Sequence, residues 1–285
     1  MPVSVKNPYA PYPVRIEDIR VETEDRSLKT FKLVFVNPGD AEKFAYQSGQ
    51  FAEISVAGQG EIPIGIASSP TEKGFIQFTI FKTGRVTSHL HQMEIGDVMG
   101  VRGPLGNSYP WNVLKGKNIL IIGGGFAFTT LRSSIKMMLD PAHRSDFGNI
   151  DVVYGARTPG MLLYKDELME WEKRDDIRMH ITVDKADDPG WAYHVGFVPA
   201  ITREVAPAAS EDTVTIICGP PVMIKFTLPV LEELGYSHDH ILMSLENRMK
   251  CGIGMCGRCN IGKELVCKDG TVFTLSQLTA TPMEY

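Results

Sequence analysis

The stretch Ile119-Leu-Ile-Ile-Gly-Gly-Gly-Phe-Ala-Phe-Thr-Thr-Leu-Arg132 decides how this chain is organised. It begins as a short apolar run, turns at Gly123, Gly124 and Gly125, and continues with apolar residues at helical spacing. A buried strand that leads through a glycine turn into a helix is the usual start of an α/β unit, and such a turn lets backbone N–H groups face a phosphate. Taken alone, the turn is equally consistent with a tight strand-to-helix connection that binds nothing.

The sequence that follows this turn repeats the alternation of strand and helix. Strands are predicted at 118–122, 150–154, 177–183, 213–218 and 241–245, and helices up to 139 and near 164–173, 197–205 and 222–234. Strands that alternate with helices in this way predict a doubly wound α/β domain with a parallel sheet.

The sequence that precedes the turn has a different pattern. Short β-rich runs at 14–21, 30–36, 51–56, 75–81 and 98–101 are separated by turn-forming residues, with one short helical stretch at 87–93. Closely spaced strands of this kind predict a small antiparallel β barrel.

Four cysteines near the C-terminus carry the strongest chemical signal. Cys251, Cys256, Cys259 and Cys267 have the spacing C-x4-C-x2-C-x7-C, and glycines separate the first three. This spacing is typical of a loop that wraps a [2Fe–2S] cluster, with the last thiolate supplied by a following segment. A structural zinc site is the alternative, but zinc sites usually have two C-x2-C pairs and only one is present here.

Composition limits the remaining possibilities. The 285 residues allow two to three domains, and a net charge of −5 without a long basic block argues against nucleic acid as a partner. There is no apolar run of 18 residues, and the N-terminus lacks an apolar signal core, so neither a membrane span nor secretion is expected. Five cysteines, four of them clustered, suggest metal thiolates in a reducing cytoplasm rather than disulfides.

Two further motifs lie where ligands commonly bind. Cys218-Gly-Pro-Pro-Val-Met223 follows the fourth strand of the α/β domain, at the end of a parallel strand. Gly84-Arg-Val-Thr-Ser88 begins the short helix of the barrel, where free N–H groups and hydroxyls could hold a pyrophosphate. A buried structural cysteine and an ordinary helix cap are the alternatives. Glu246, just before the cysteine loop, could lie near a cofactor, although a role at the surface is favoured.

Taken together, these motifs resemble those of the ferredoxin–NADP reductase superfamily. Besides the motifs above, the resemblance rests on Gly103-Pro-Leu-Gly-Asn107, Tyr154-Gly-Ala-Arg-Thr-Pro159 and Leu163-Tyr-Lys-Asp-Glu-Leu168. The chain is most similar to the branch that ends in a [2Fe–2S] domain. That branch includes the dihydroorotate dehydrogenase electron-transfer subunit, a subunit of the anaerobic sulfite reductase and the γ subunit of soluble nickel–iron hydrogenases.

The resemblance implies three domains: an FAD-binding barrel at 1–112, an NAD(P)-binding α/β domain at 113–246 and a [2Fe–2S] domain at 247–285. It also implies roles for individual residues. The flavin ring and ribityl chain would be lined by Ile64, Gly65, Ile66, Ala67, Ser68 and Ser69, and the FAD pyrophosphate would be held by Gly84, Val86, Thr87 and Ser88. NAD(P) would be bound by Gly123, Gly124, Gly125, Arg157, Gly219 and Pro220, with Cys218 beside the nicotinamide. The cluster ligands would be Cys251, Cys256, Cys259 and Cys267.

Two stretches depart from the family pattern. The flavin motif Arg-x-Tyr-Ser is replaced by Ile62-Pro-Ile64-Gly65, and the glycine loop continues as Phe126-Ala-Phe-Thr-Thr130 instead of Ile-Gly-x-Ala-Pro. The resemblance implies an electron-transfer flavoprotein subunit that serves the iron–sulfur subunit of a larger redox complex. Because a cluster loop must come close to its electron acceptor, that subunit is expected to dock on the loop around Ile253 and Met255; the alternative is that both side chains pack inward against the α/β domain. A cluster-bearing spacer with decayed nucleotide sites and a stand-alone NAD(P)H:ferredoxin-type reductase remain open, as does the choice between NAD and NADP.

Overall fold

A computed structural model describes residues 7–280 of the chain. The outermost parts of the predicted domains 1–112 and 247–285, including the segment judged not to be a signal sequence, lie outside these residues. The described part contains an antiparallel sheet followed by a mostly parallel one, as predicted.

The first sheet forms the barrel-like domain. Its strands are β1 (Tyr12–Val21), β2 (Leu28–Phe35), β3 (Phe51–Val56), β4 (Gly60–Gly65), β5 (Ile76–Phe81) and β6 (Val98–Leu105), and they pair in the order β4-β3-β6-β1-β2-β5. The short helices of this domain are α1 (Pro38–Lys43) and α2 (Arg85–Leu90). Alternate strand residues such as Val14, Ile16, Phe31 and Leu33 are almost fully buried, so one face of the sheet forms the core.

Strand β4 is absent from the sequence prediction. It contains Pro63, which has no N–H to donate and therefore weakens any strand signal. The proline is tolerated because β4 is the first strand in the order of the sheet and pairs with β3, with Phe51 opposite Gly65.

The second sheet forms the α/β domain. Its strands are β7 (Asn118–Gly124), β8 (Ile150–Ala156), β9 (Arg178–Val183), β10 (His194–Val195), β11 (Thr213–Cys218), β12 (Ile241–Ser244) and β15 (Val272–Thr274), in the order β10-β9-β8-β7-β11-β12-β15. The strands from β7 to β12 pair in parallel, whereas β15 is antiparallel to β12. Because β15 follows the cysteine loop, the C-terminal region adds a strand to this sheet.

The remaining elements surround this sheet. The helices are α3 (Trp111–Leu114), α4 (Phe128–Met138), α5 (Lys165–Glu172), α6 (Val198–Val205), α7 (Pro221–Glu233), α8 (Val266–Asp269) and α9 (Leu275–Thr279), and β13 (Asn260–Ile261) pairs with β14 (Glu264–Leu265) beside the cysteine loop. Within residues 7–280, none of the helices combines the length and the apolar character needed to cross a membrane.

Helix α4 joins the two large domains. Arg132 is 4% exposed and donates hydrogen bonds to the carbonyl of Ala67 in the barrel at 2.7 Å and to the carboxylate of Glu167 at 2.6 and 2.7 Å. The hydroxyl of Ser133 donates to the carbonyl of Ser68 at 2.7 Å. Charge-assisted bonds of this kind hold the segment after β4 firmly against the α/β domain.

Candidate functional site

The glycines of the cysteine loop adopt backbone conformations that let the loop turn sharply. Gly252, Gly254 and Gly257 have φ values of 69°, 76° and 68°, in the left-handed region that other residues rarely adopt. The loop therefore turns three times within a few residues. This brings the cysteines of the loop and Cys267 of α8 to one place.

Backbone N–H groups of this region point at sulfur atoms. The N–H of Gly254 donates to Sγ of Cys267 at 3.2 Å, that of Cys256 to Sγ of Cys251 at 3.4 Å, and that of Cys267 to Sγ of Cys259 at 3.5 Å. Such bonds stabilise thiolates. Two of these bonds link the predicted ligands in pairs, Cys251 with Cys256 and Cys259 with Cys267.

The local environment gives two of these thiols different acidities. Burial tends to raise the pKa of Cys251, but hydrogen bonds from the backbone of residues 253, 255 and 256 lower it to about 6. Burial and the adjacent Cys259 raise the pKa of Cys267 to about 12. Among residues 7–280, no three His, Cys, Asp or Glu side chains are grouped closely enough to hold a single metal ion.

The cysteine region packs directly on the barrel. The side-chain amide of Asn107 donates to the carbonyls of Asp269 and Val272, and its oxygen accepts from the N–H of Val272. The hydroxyl of Thr271 donates to the carbonyl of Gly49 at 2.9 Å. The motif at 103–107 therefore anchors the segment that follows Cys267.

A small cavity lies where the barrel, the α/β domain and the cysteine region meet. It has a volume of about 70 Å³. The barrel contributes Ile64 and Gly65 to its wall, the α/β domain contributes Thr130 and Cys218, and the segment before the cysteine loop contributes Glu246. A larger open cleft of about 740 Å³ runs along 104–112, but none of the predicted site residues lines it. Of the predicted site residues, Ile64, Gly65 and Cys218 line the smaller cavity.

Cys218 and Glu246 face this cavity from different elements. Cys218 is 3% exposed, and burial, followed by the nearby Glu246, raises its pKa to about 12, so the group remains a neutral thiol. Glu246 retains contact with solvent although protein atoms crowd around it, and this partial burial raises the pKa of its carboxyl. Sequence reasoning undervalued Glu246 because only the fold brings the end of β12 to the cavity.

The end of β4 and the segment after it contain the residues predicted for the flavin ring and ribityl chain. Ile64 and Gly65 line the cavity, but Ile66, Ala67, Ser68 and Ser69 are at most 1% exposed. The hydroxyl of Ser68 is hydrogen-bonded to Tyr46 and accepts from the N–H of Gln77, and that of Ser69 is bonded to Thr71. The side chains of these four residues are therefore packed inside the protein, behind the wall of the cavity.

The turn at 84–88 contains the residues predicted for the FAD pyrophosphate. The hydroxyl of Thr87 accepts from the N–H groups of Thr83 and Gly84 and donates to the carbonyl of Gly84, and Val86 is 8% exposed in the barrel core. Both side chains therefore stabilise the turn itself. Gly84 is exposed and Ser88 is half-buried, so they stay available. Sequence reasoning missed Arg85, an exposed cation that bonds Gln59 and the carbonyl of Gly58.

The predicted nucleotide-binding residues lie at the carboxyl edge of the parallel sheet. Gly125 has a φ of 56° and open space around its Cα, whereas Gly124 and Gly219 are packed against the side chain of Met223. Phe126, which follows the turn, stacks on Phe81 of the barrel with ring centroids 5.8 Å apart. Pro220 is exposed at the start of α7, Gly123 is buried, and Arg157 is exposed beyond the end of β8.

Comparisons with known proteins agree with this division of the chain. Residues 19–109 match the oxidoreductase FAD-binding domain, residues 121–228 the oxidoreductase NAD-binding domain, and residues 246–279 the iron–sulfur cluster binding domain of dihydroorotate dehydrogenase B. Sulfhydrogenase 1 subunit gamma of Pyrococcus furiosus is 37% identical over 283 residues, which cover 97% of this chain and 94% of that protein.

The chain belongs to the family of sulfhydrogenase γ and dihydroorotate dehydrogenase B electron transfer subunits. A probable dihydroorotate dehydrogenase B (NAD(+)) electron transfer subunit of Thermococcus kodakarensis is 31% identical over 81% of this chain and 86% of that protein. A solved structure described under flavin-based electron bifurcation by the NADH-dependent reduced ferredoxin-NADP oxidoreductase superposes with a TM-score of 0.73. It is 26% identical and covers 97% of this chain and 94% of that one.

Membership of this electron transfer subunit family confirms the predicted class. The chain is an oxidoreductase with FAD-binding, NAD-binding and iron–sulfur-binding domains that functions in electron transfer. The match at 246–279 decides between the two interpretations of the cysteines in favour of an iron–sulfur cluster over zinc.

Proposed function

We propose that this chain is the flavin and iron–sulfur subunit of a larger redox complex, in which it carries electrons between NAD(P)H and an iron–sulfur chain of a partner subunit. The observation that carries the proposal is the cavity where all three domains meet. The residues that line it come from the FAD-binding, NAD-binding and cluster-binding regions, so groups bound to those regions would lie close enough to exchange electrons.

The protein residues bind and orient the cofactors. Bound FAD would supply the conversion between two-electron and one-electron chemistry. Ile64 and Gly65 form the barrel wall for the flavin ring. Gly84, Ser88 and Arg85 border the turn that would hold the pyrophosphate, where the Arg85 cation offsets the absence of an arginine at Ile62.

NAD(P) would bind at the carboxyl edge of the parallel sheet. Gly125 gives open backbone for a phosphate, Arg157 supplies a cation near the ribose, and Gly219 and Pro220 border the nicotinamide side. Cys218 stays protonated, so it packs beside the ring as a neutral thiol and neither attacks it nor carries charge. Arg157 is compatible with NADP without requiring it.

Cys251, Cys256, Cys259 and Cys267 are proposed as ligands of a [2Fe–2S] cluster. The spacing and the N–H groups that point at sulfur support this cluster type. All five cysteines are free thiols, which fits a reducing compartment such as the cytoplasm.

The partner is proposed to hold the terminal catalytic site. The chain has no sequence signature for nickel, molybdenum or sirohaem, so the terminal chemistry lies on another subunit. The likeness to a sulfhydrogenase γ subunit supports a hydrogenase-type complex.

A visible spectrum with anaerobic NAD(P)H titration tests the proposal. We expect flavin and cluster absorbance in the purified protein, and both should bleach when NADH or NADPH is added. Cluster absorbance without flavin would favour the structural spacer instead. Single alanine variants of the four ligand cysteines should lose iron and acid-labile sulfide, whereas Cys218→Ala should keep both. Iron loss in the Cys218 variant would contradict the ligand assignment.

A further inference from the structure

Gly65 and Thr130 meet across the junction between the barrel and the α/β domain. Gly65 is the last residue of β4, and Thr130 lies in the first turn of α4. A Cβ atom built on Gly65 would lie 2.2 Å from Cγ2 of Thr130, well inside van der Waals contact. The backbone of Gly65 is outside the left-handed region, so Thr130 is what excludes a side chain at this position.

The polar groups of the cavity are distributed unequally between its walls. The barrel wall consists of Gly49, Phe51, Pro63, Ile64 and Gly65, which offer no side-chain hydrogen-bonding group. The opposite wall carries the polar side chains of the cavity, which are Thr130, Ser244, Glu246, Asn247 and Thr271. Of these, Thr130 is the one that packs over Gly65, and the hydroxyl of Thr271 donates to the carbonyl of Gly49.

The hydroxyl of Thr130 belongs to the side chain that packs over Gly65. It donates to the carbonyl of Ala127 at 3.1 Å and lies 3.7 Å from Sγ of Cys218. In this rotamer the methyl group lies over Gly65, and the hydroxyl lies beside Cys218, which also lines the cavity. The hydroxyl oxygen can still accept a hydrogen bond while it donates to Ala127.

We propose that Thr130 is a positioning residue for the flavin ring and occupies the place of the side chain that Gly65 lacks. Its methyl group fills the space above Gly65, and its hydroxyl gives the ring a hydrogen-bonding partner from the α/β domain instead of the barrel. A hydroxyl both donates and accepts, so it suits the ring in its oxidised and reduced forms. The inference rests on the proposed binding of FAD in this cavity.

The anchoring of α4 supports this role. Arg132 and Ser133, two and three residues further along the helix, bond the carbonyls of Ala67 and Ser68 just beyond Gly65. These contacts fix the distance between β4 and α4. A side chain on α4 can therefore form the part of the cavity wall for which Gly65 supplies no side chain.

The first test separates the hydroxyl from the shape of Thr130. Thr130→Val keeps the methyl group above Gly65 and removes the hydroxyl. Thr129→Val, at a neighbouring buried threonine that does not line the cavity, is the matched control. We expect Thr130→Val to weaken FAD binding by roughly two- to ten-fold and to shift the flavin absorbance bands, with FAD-free thermal stability no lower than in the control.

The second test moves the hydroxyl back to the barrel. Gly65→Ser alone should impair FAD binding because its Cβ overlaps Thr130, and Thr130→Ala alone should impair it through the lost hydroxyl. The double variant should bind FAD more tightly than either single variant and recover the wild-type spectrum.

Three results would overturn the inference or its basis. Wild-type FAD affinity and spectrum in Thr130→Val would show that the hydroxyl does not position the ring, while leaving the proposed function intact. A double variant that binds FAD no more tightly than the weaker-binding single variant would show that a side chain at position 65 cannot replace that of Thr130. Failure of the wild-type protein to bind added FAD would reject the proposed function together with the inference.

Discussion

Gly252 of the cysteine loop lies directly against the buried carboxylate of Glu53 on β3. A Cβ atom at Gly252 would come within 3.1 Å of Oε1 of Glu53 and 2.8 Å of Cδ1 of Leu105. Glu53 is 0% exposed, and neither of its carboxylate oxygens has a hydrogen-bond partner. The loop that would hold the cluster therefore packs on a buried carboxyl group that has no hydrogen-bond partner. Substitutions at Gly252 and Glu53 should change the stability of the protein.

Glu53 should make the protein less stable as pH rises. Burial, followed by the charge of Glu61, raises the pKa of Glu53 from 4.5 to about 7. The folded state therefore holds this proton more tightly than the unfolded state. The contribution is intact below pH 4.5 and is lost as pH rises through 7, to a limit of about 3 kcal/mol.

Glu53→Gln tests this titration because it fixes the neutral form. We expect the variant to be more stable than the wild type at pH 8 and to lose part of the decline between pH 5 and 8, measured by thermal unfolding of the cluster-loaded protein. Glu17→Gln, at an exposed carboxylate of the same barrel, is the control. Identical pH profiles for wild type and Glu53→Gln would contradict the prediction.

The contact at Gly252 distinguishes it from the other glycines of the loop. Gly252→Ala combines a left-handed backbone with a steric overlap, whereas Gly257→Ala has a similar φ but no atom within 4 Å of its Cβ. The backbone strain alone costs about 1–2 kcal/mol in each variant. Gly252→Ala should therefore lose more iron and more thermal stability than Gly257→Ala, and equal losses would show that packing on Glu53 does not matter.

Arg132 should be a principal contributor to the stability of the domain junction. Its replacement by Met leaves Glu72 and Glu167 partly buried without their main counter-charge, which typically costs about 3–5 kcal/mol. Lys136→Met is a matched control, since Lys136 contacts the same two carboxylates but is 28% exposed. Thermal unfolding should show a much larger loss for Arg132→Met than for Lys136→Met.

In the turn at 84–88, which is proposed to hold the FAD pyrophosphate, Arg85 is expected to contact FAD and Thr87 to stabilise the turn itself. Arg85→Gln removes an exposed cation and should weaken FAD binding by roughly ten-fold, more at low than at high salt, with little change in thermal stability. Thr87→Val removes three hydrogen bonds within the turn and should lower thermal stability even without FAD. Unchanged FAD affinity in Arg85→Gln at low salt would show that this cation does not approach the phosphates.

The sequence predicted elements best where periodicity alone determines them. The strand predicted at 213–218 has those bounds in the structure, because it is a short, fully buried apolar run. Strand β4 was missed because of Pro63, and the two-residue strand β10 is too short to leave a pattern.

The site could be predicted only as far as its local motifs extend. The cysteine loop is specified by its own glycines and spacing. The burial of residues 66–69 and the contact between Gly65 and Thr130 depend on how α4 docks on the barrel, across 65 residues of sequence. Local sequence contains no such information.

The exposed part of the cysteine loop is the expected docking face for a partner. Met255 is 73% exposed and Ile253 is half-buried, so Met255 offers the larger surface. The hydroxyl of Tyr9 contacts Sδ of Met255 at 3.5 Å, and Cys256 beside it is exposed. A cluster held there would lie at the surface, within reach of an electron acceptor.

Met255→Asp tests this face, with Met169→Asp as the control because Met169 is 47% exposed on α5 of the α/β domain. We expect the Met255 variant to keep wild-type iron and flavin content but to lose the iron–sulfur subunit when the tagged chain is purified from its own host, because burying an unpaired carboxylate at an interface is strongly unfavourable. The Met169 variant should retain that subunit. Full retention by Met255→Asp would place the partner on another surface, and loss of iron would show that Met255 supports the loop itself.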